Sequence, residues 1–224
     1  MPASKFLPYV MPMLTFGIFT EIETIDMVSS WYPIVCTIKT IAVTGISIIF
    51  VRTYNEIRIT TKDWGLALIC GVIVFAEWIF IEEHLSYPRF ALLDQLGKRS
   101  GFNPFDEISS NLWRVFFIAI RFYGLMIMIP IIEEIFWRLF LLRYIVDPDF
   151  TRAPLGKFTW ISFLTVSGFF SLSHPEWLPA LICCFVYNGL FYQTKNIFSC
   201  IMAHAVTNTL LGFYVLMNDK WQYL

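Results

Sequence analysis

The sequence predicts an all-helical, polytopic bundle embedded in a membrane, and three observations predict it. Of the 224 residues, 57% are hydrophobic and 18% aromatic while only 15% are charged, against about 25% charged in an ordinary soluble domain. A soluble core of this size cannot bury 23 Phe, 10 Tyr and 8 Trp without leaving large apolar patches exposed. Apolar runs close to the roughly 20 residues of a spanning helix recur along the chain, separated by polar or turn-forming breaks. The formal net charge of −1 leaves no basic footprint for nucleic acid, and the apolar content excludes disorder.

About seven to eight transmembrane helices are expected on this pattern. The first, Phe6 to Thr20, contains Pro8 and Pro12 and reads as a kinked entry helix; it lacks the small-residue cleavage site of a signal peptide. The second runs from Tyr32 to Val51, the third from Trp64 to Ile81 and the fourth from Leu112 to about Pro130, with a helical continuation from Ile131 to Val146. Phe158 to His174, Trp177 to Gln193 and Ile197 to Met217 follow. Size points to a single integral membrane domain over residues 1–224, its chemistry concentrated in about 112–217. Cys36, Cys70, Cys183, Cys184 and Cys200 lie in apolar runs without metal-type spacing and read as small buried hydrophobes, not as a disulfide framework.

Lys and Arg in the short loops set the orientation. A cytoplasmic N-terminus places Lys5, Arg52, Arg58, Lys62, Arg152, Lys157 and Lys195 inside. The first loop on the opposite side, Glu21 to Trp31, carries Glu21, Glu23 and Asp26 and no basic residue. Only the longer segment Glu82 to Ser110, with Arg89, Lys98 and Arg99, runs against this scheme, which counts Leu112 to Val146 as one net crossing.

An ionisable side chain near the centre of a bilayer costs about 3 kcal/mol or more unless paired or hydrated, so intramembrane charges are the informative residues. The densest group, Glu133-Glu134-Ile135-Phe136-Trp137-Arg138, follows Pro130, which can kink a helix and free backbone carbonyls. Glu134 and Arg138 stand at i, i+4 in the favourable ion-pair order. Glu133 lies about 100° round the helix from Glu134 and about 140° from Arg138. Glu134 is therefore neutralised by Arg138, and Glu133 is left free to face a cavity and act as a base. Read alone, the group is equally the polar end of a helix at the lipid interface.

Two further groups accompany it. His174 ends a span, and Pro175 biases it away from helical geometry toward a loop mouth; the imidazole suits proton transfer, although a terminal His is also an ordinary interface residue. His204 and Asn208 share one helix face at i, i+4, where both donate to a common point or make a polar helix–helix contact. Taken together the groups supply a base, a proton partner and two oxyanion donors, as water-mediated amide hydrolysis requires.

On these residues the sequence resembles the CAAX protease and bacteriocin-processing family, also called the Abi family, of intramembrane glutamate endopeptidases. Glu133-Glu134-x-x-x-Arg138 resembles its first motif, Phe170-x-x-x-His174 the second and His204-x-x-x-Asn208 the third, over roughly Leu112 to Leu216. The run Glu-Glu-Ile-Phe-Trp-Arg with His174-Pro175-Glu176-Trp177 further resembles a bacterial branch called CAAX prenyl protease-related, associated with exosortase sorting systems. The resemblance implies that Glu133 polarises the attacking water beside His174, that His204 and Asn208 form the oxyanion hole, and that Glu134 and Arg138 shape the site. It implies no catalytic metal, although Glu, His and His also resemble a zinc set; the His-Glu-x-x-His spacing is lacking. It also implies a bacterial inner membrane, a membrane-anchored or peptide substrate and the lipid bilayer as partners. Pro175 departs from the generic motif.

Lys39, Glu77 and Arg121 are the remaining intramembrane charges. Arg121 needs a carboxylate or water, so either a Glu77–Arg121 pair or a role for Arg121 in binding a substrate carboxylate is expected. The same buried Glu and His residues would also serve a transporter or proton relay, or persist in a non-catalytic immunity protein of this fold.

Overall fold

A computed structural model describes residues 5–25, 31–90 and 101–224. Among them the chain is helical throughout, without strands. The main helices are α1 (Leu7–Glu23), α2 (Tyr32–Ile49), α3 (Trp64–His84), α4 (Asn111–Val146), α5 (Trp160–Leu172), α6 (Trp177–Thr194) and α7 (Ile197–Asn218). Asp26, Lys98 and Arg99, used above for orientation, lie outside the described residues.

Four helices, α2, α3, α4 and α7, are long and apolar enough to cross a membrane. At 1.5 Å per residue α5 is only about 20 Å long, short of the roughly 30 Å hydrocarbon layer. Outward-facing Ile41, Ile49, Leu112 and Ile161 are exposed, as a lipid-facing surface requires. The five cysteines are free; Cys70 is half-buried and the other four are buried.

Helix starts follow local chemistry. Ser110, Thr159 and Asn196 each accept a backbone N–H of the first turn through the side chain. Prolines inside helices strand carbonyls, and other elements satisfy them. Pro12 of α1 has no N–H for the carbonyl of Pro8, four residues back, and the buried Tyr54 hydroxyl donates to that carbonyl instead.

Helix α4 is continuous for 36 residues and does not break at Pro130. Turns of π-helix at Gly124–Met128 and Ile135–Leu141 flank the α-helical turns Ile129–Glu134 that contain Pro130. Its length of about 54 Å exceeds the hydrocarbon thickness, so it forms one crossing of the bundle and not two.

Helix α3 packs closely on α7 because Gly71 carries no side chain: a Cβ there would lie 2.5 Å from the carbonyl oxygen of Ala203. The hydroxyl of Thr207 uses this proximity to donate to the Gly71 carbonyl at 2.8 Å. Gly212 likewise lets α7 approach α4, where a Cβ would meet Phe122 at 2.9 Å. The result is α4 enclosed by α1, α2, α5 and α7.

Candidate active site

Adjacent carboxylates of α4 have opposite surroundings. Glu134 is fully buried, and its Oε1 accepts from Arg138 Nη1 at 3.1 Å and from His204 Nδ1 at 3.0 Å. Glu133 lines a cavity of about 470 Å³ and has no ion-pair partner among the described residues; the Oε2 atoms of both carboxylates are buried without a hydrogen-bond partner among them. A 100° turn of helix separates a committed carboxylate from one turned to the cavity.

Arg138 is held on every side. Nε donates to Asn188 Oδ1 at 3.1 Å and Nη2 to Cys184 Sγ at 3.3 Å, while the guanidinium lies over the rings of Phe170 (5.0 Å) and Tyr187 (5.6 Å). Asn188 is itself fixed by donating to Ser167 Oγ at 3.2 Å. Such a planar cation, bonded through each of its three nitrogens, suits a buried ion pair. Sequence reasoning missed Asn188, Ser167 and Cys184; a lone Asn in an apolar span was the signal for the first of them.

His174 follows the last turn of α5 and also lines the cavity. Its Nδ1 lies 2.8 Å from the Phe170 carbonyl, which can only accept, so Nδ1 carries the proton and Nε2 the lone pair. Trp78 and Phe170 pack on the ring at 6.0 and 4.6 Å between centroids. The turn after it is strapped from outside: Trp177 Nε1 donates to the Pro88 carbonyl at 2.7 Å and Arg89 Nη1 to the Pro175 carbonyl at 3.3 Å. Burial, followed by a hydrogen bond to Glu82, pushes the phenol of Tyr87 in this strap upward.

His204 and Asn208 line the same cavity from α7. Donation from His204 Nδ1 to Glu134 leaves Nε2 as the remaining nitrogen; it donates only when the ring carries two protons, with the positive charge beside the Glu134 carboxylate. Asn208 Nδ2 donates one proton to the Leu125 carbonyl at 2.8 Å. The reason lies in the π turn, where Ile129 N–H bonds to Gly124 O, five residues back. In that register Leu125 O looks to residue 130, a proline without an N–H, so the carbonyl is left for Asn208. Asn208 therefore caps a carbonyl freed within α4 and keeps its second N–H in reserve.

Glu133, His174, His204 and Asn208 thus share one cavity, with Glu134 and Arg138 packed behind it. Arg121 lines the cavity too, but the expected Glu77–Arg121 pair does not form. Arg121 Nη1 donates to the Phe102 carbonyl at 2.9 Å and its guanidinium lies among Tyr32, Phe117 and Trp221, whereas both Glu77 oxygens lack partners among the described residues. Aromatic rings and a carbonyl take the place of the carboxylate. Lys39 pairs with Glu23 at 2.6 Å, joining α2 to the end of α1.

Among the described residues no group of three or more His, Cys, Asp or Glu side chains is placed to hold a metal ion.

Residues 111–210 match the family model described as Rce1-like, type II CAAX prenyl endopeptidase Rce1-like. Neither a curated protein nor a solved structure matches the chain. The matched segment begins at the first residue of α4 and includes Glu133, His174, His204 and Asn208. With its apolar helices the chain is an integral membrane protein, and its residues 111–210 are similar to the Rce1-like type II CAAX prenyl endopeptidases.

Proposed function

We propose that the protein hydrolyses a peptide bond of a membrane-anchored or extended peptide substrate, with Glu133 as base. The observation that carries this reading is the division of labour on α4: Glu134 is paired with Arg138 and His204 through Oε1 and does not line the cavity, while Glu133 lines it and has no cationic partner among the described residues.

In this scheme a water held between Glu133 and His174 Nε2 attacks the scissile carbonyl carbon. Its proton passes to Glu133 as the C–O bond forms. The oxyanion receives hydrogen bonds from His204 Nε2, in its doubly protonated form, and from the second N–H of Asn208; removing one such donor typically costs about 3 kcal/mol of transition-state stabilisation. Collapse breaks the C–N bond, and the proton held by Glu133 goes to the leaving amine. Glu134 and Arg138 act by orienting His204. The reaction needs no metal, and activity is expected to survive chelation in protein that holds no stoichiometric zinc.

Glu133→Gln tests the base. The change is nearly isosteric, and cleavage of tagged membrane-anchored peptides is expected to fall by at least about a hundredfold at normal expression. Unchanged cleavage by the variant would rule Glu133 out.

A further inference from the structure

The turn that carries His174 is gripped by residues 85–90, which leave the end of α3 in extended form, the geometry a residue before proline favours at Tyr87-Pro88. This strap lies outside residues 111–210, whereas the turn it grips lies inside them. Trp78 and Glu82 stand at i, i+4 on one face of α3. Trp78 packs on the His174 ring, and Glu82, whose side chain is 6% exposed, anchors the strap by accepting from the Tyr87 hydroxyl and, at 2.6 Å, from Arg89 Nη2.

Arg89 lies over the Tyr87 ring at 4.4 Å, and its other arm donates to the Pro175 carbonyl. The Pro88 carbonyl accepts from Trp177 Nε1, and the rings of Tyr87 and Phe90 flank that indole at 5.8 and 5.5 Å. From within, Ser171 Oγ donates to the Trp177 carbonyl at 2.7 Å. The turn is thus tied on both sides of Pro175, which has no N–H of its own to bond back into α5.

The His174 ring depends on that turn. Ser173 Oγ spends its proton on the Phe170 carbonyl at 2.7 Å, which leaves its oxygen to accept. Nδ1 therefore faces two acceptors, the Phe170 carbonyl at 2.8 Å and Ser173 Oγ at 3.2 Å. A proton on Nδ1 is the reverse of the Nε2–H form that a free histidine side chain favours in water, so it lasts only while the ring is held in place.

We propose that Pro88, Arg89 and Trp177 are positioning residues for the hydrolytic site: by gripping the Pro175 turn they keep His174 Nδ1 on the Phe170 carbonyl and leave Nε2 to accept from the attacking water. The kinetic consequence rests on the endopeptidase reading, but the position of the proton is read without cleavage.

The experiment uses the full chain in phosphatidylcholine bilayers, with histidine isotopically labelled at the ring nitrogens. The chain has three histidines, and His84→Gln and His174→Gln assign their signals. Solid-state nitrogen NMR spectra, recorded where the His174 ring is neutral, are expected to show its proton on Nδ1. Arg89→Gln removes one grip; Trp177→Phe removes the indole N–H while keeping a ring between Tyr87 and Phe90. In each variant part of the His174 signal is expected to move to the Nε2–H form. The kcat for a tagged membrane-anchored peptide falls about tenfold with KM little changed, and about a hundredfold when both substitutions are combined, the scale of a misplaced reacting group. Arg89→Lys, which keeps a donor, recovers part of both effects. An unchanged His204 signal, set by the contact with Glu134, shows that each variant is folded.

A wild-type His174 protonated on Nε2, variants whose proton stays on Nδ1, an unchanged kcat in protein that cleaves, or loss of the His204 signal together with the His174 change overturns the proposal. Wild-type protein that cleaves no peptide, while the proton shift appears in the variants, refutes the endopeptidase reading and leaves the grip on His174 standing.

Discussion

Arg138→Met removes the cation that compensates a fully buried carboxylate while roughly keeping the volume. Glu134 is then left with His204 as its remaining partner, and Asn188 Oδ1 loses its donor. Breaking a buried pair from one side costs about 3–5 kcal/mol, because the surviving charge stays desolvated. Both residues are 0% exposed, so solvent does not screen the loss. In the double variant Glu134→Gln/Arg138→Met no lone charge remains, and the cost is expected to fall to about 1–2 kcal/mol, the scale of the lost neutral hydrogen bonds. Unfolding in mixed micelles of rising SDS fraction reads the difference: the double variant is expected to be about 2–3 kcal/mol more stable than Arg138→Met alone, and a cycle completed with Glu134→Gln shows the two substitutions to be non-additive. Arg138→Lys is expected to recover little, since one ammonium cannot serve Glu134, Asn188 and Cys184 in the same plane. If Arg138→Met alone costs less than about 1 kcal/mol, or if the two substitutions simply add, the argument that Arg138 holds Glu134 as a buried anion is wrong.

Other substitutions test how the helices place the site. Asn208→Ala uncovers the Leu125 carbonyl and is expected to cost about 1–3 kcal/mol; in a Pro130→Ala background residue 130 regains an N–H, and the same unfolding measurement should show a smaller loss. Gly71→Ala drives a methyl into the Ala203 carbonyl and Val206, and is expected to destabilise the α3–α7 contact by about 1–3 kcal/mol, visible as a lowered melting temperature in detergent.

Much of the site was legible because it is local. The Glu134–Arg138 pair follows from i, i+4 spacing, and the observed 3.1 Å contact lies within one helix. Spans were legible for a similar reason: hydropathy needs only neighbours along the chain, and the seven main helices start and end within a few residues of the apolar runs. The π turns of α4 were not, because a proline in a long apolar run is compatible with a kink, a break or a wider turn, and the packing of α2 and α7 against that segment accompanies the wider turn. The Glu77–Arg121 expectation failed on the same ground: two opposite charges in different spans say nothing about which faces meet.

By itself, then, the sequence determined a membrane bundle, the helices that build it and the three polar blocks, since composition and periodicity fix what each segment must bury. Only the tertiary structure decided what each block touches. His204 reaches Glu134 across 70 positions and Arg138 reaches Asn188 across 50, and such contacts depend on how whole helices rotate and approach, which glycines and π turns set. The same long-range packing put Arg121 and Glu133 on one cavity.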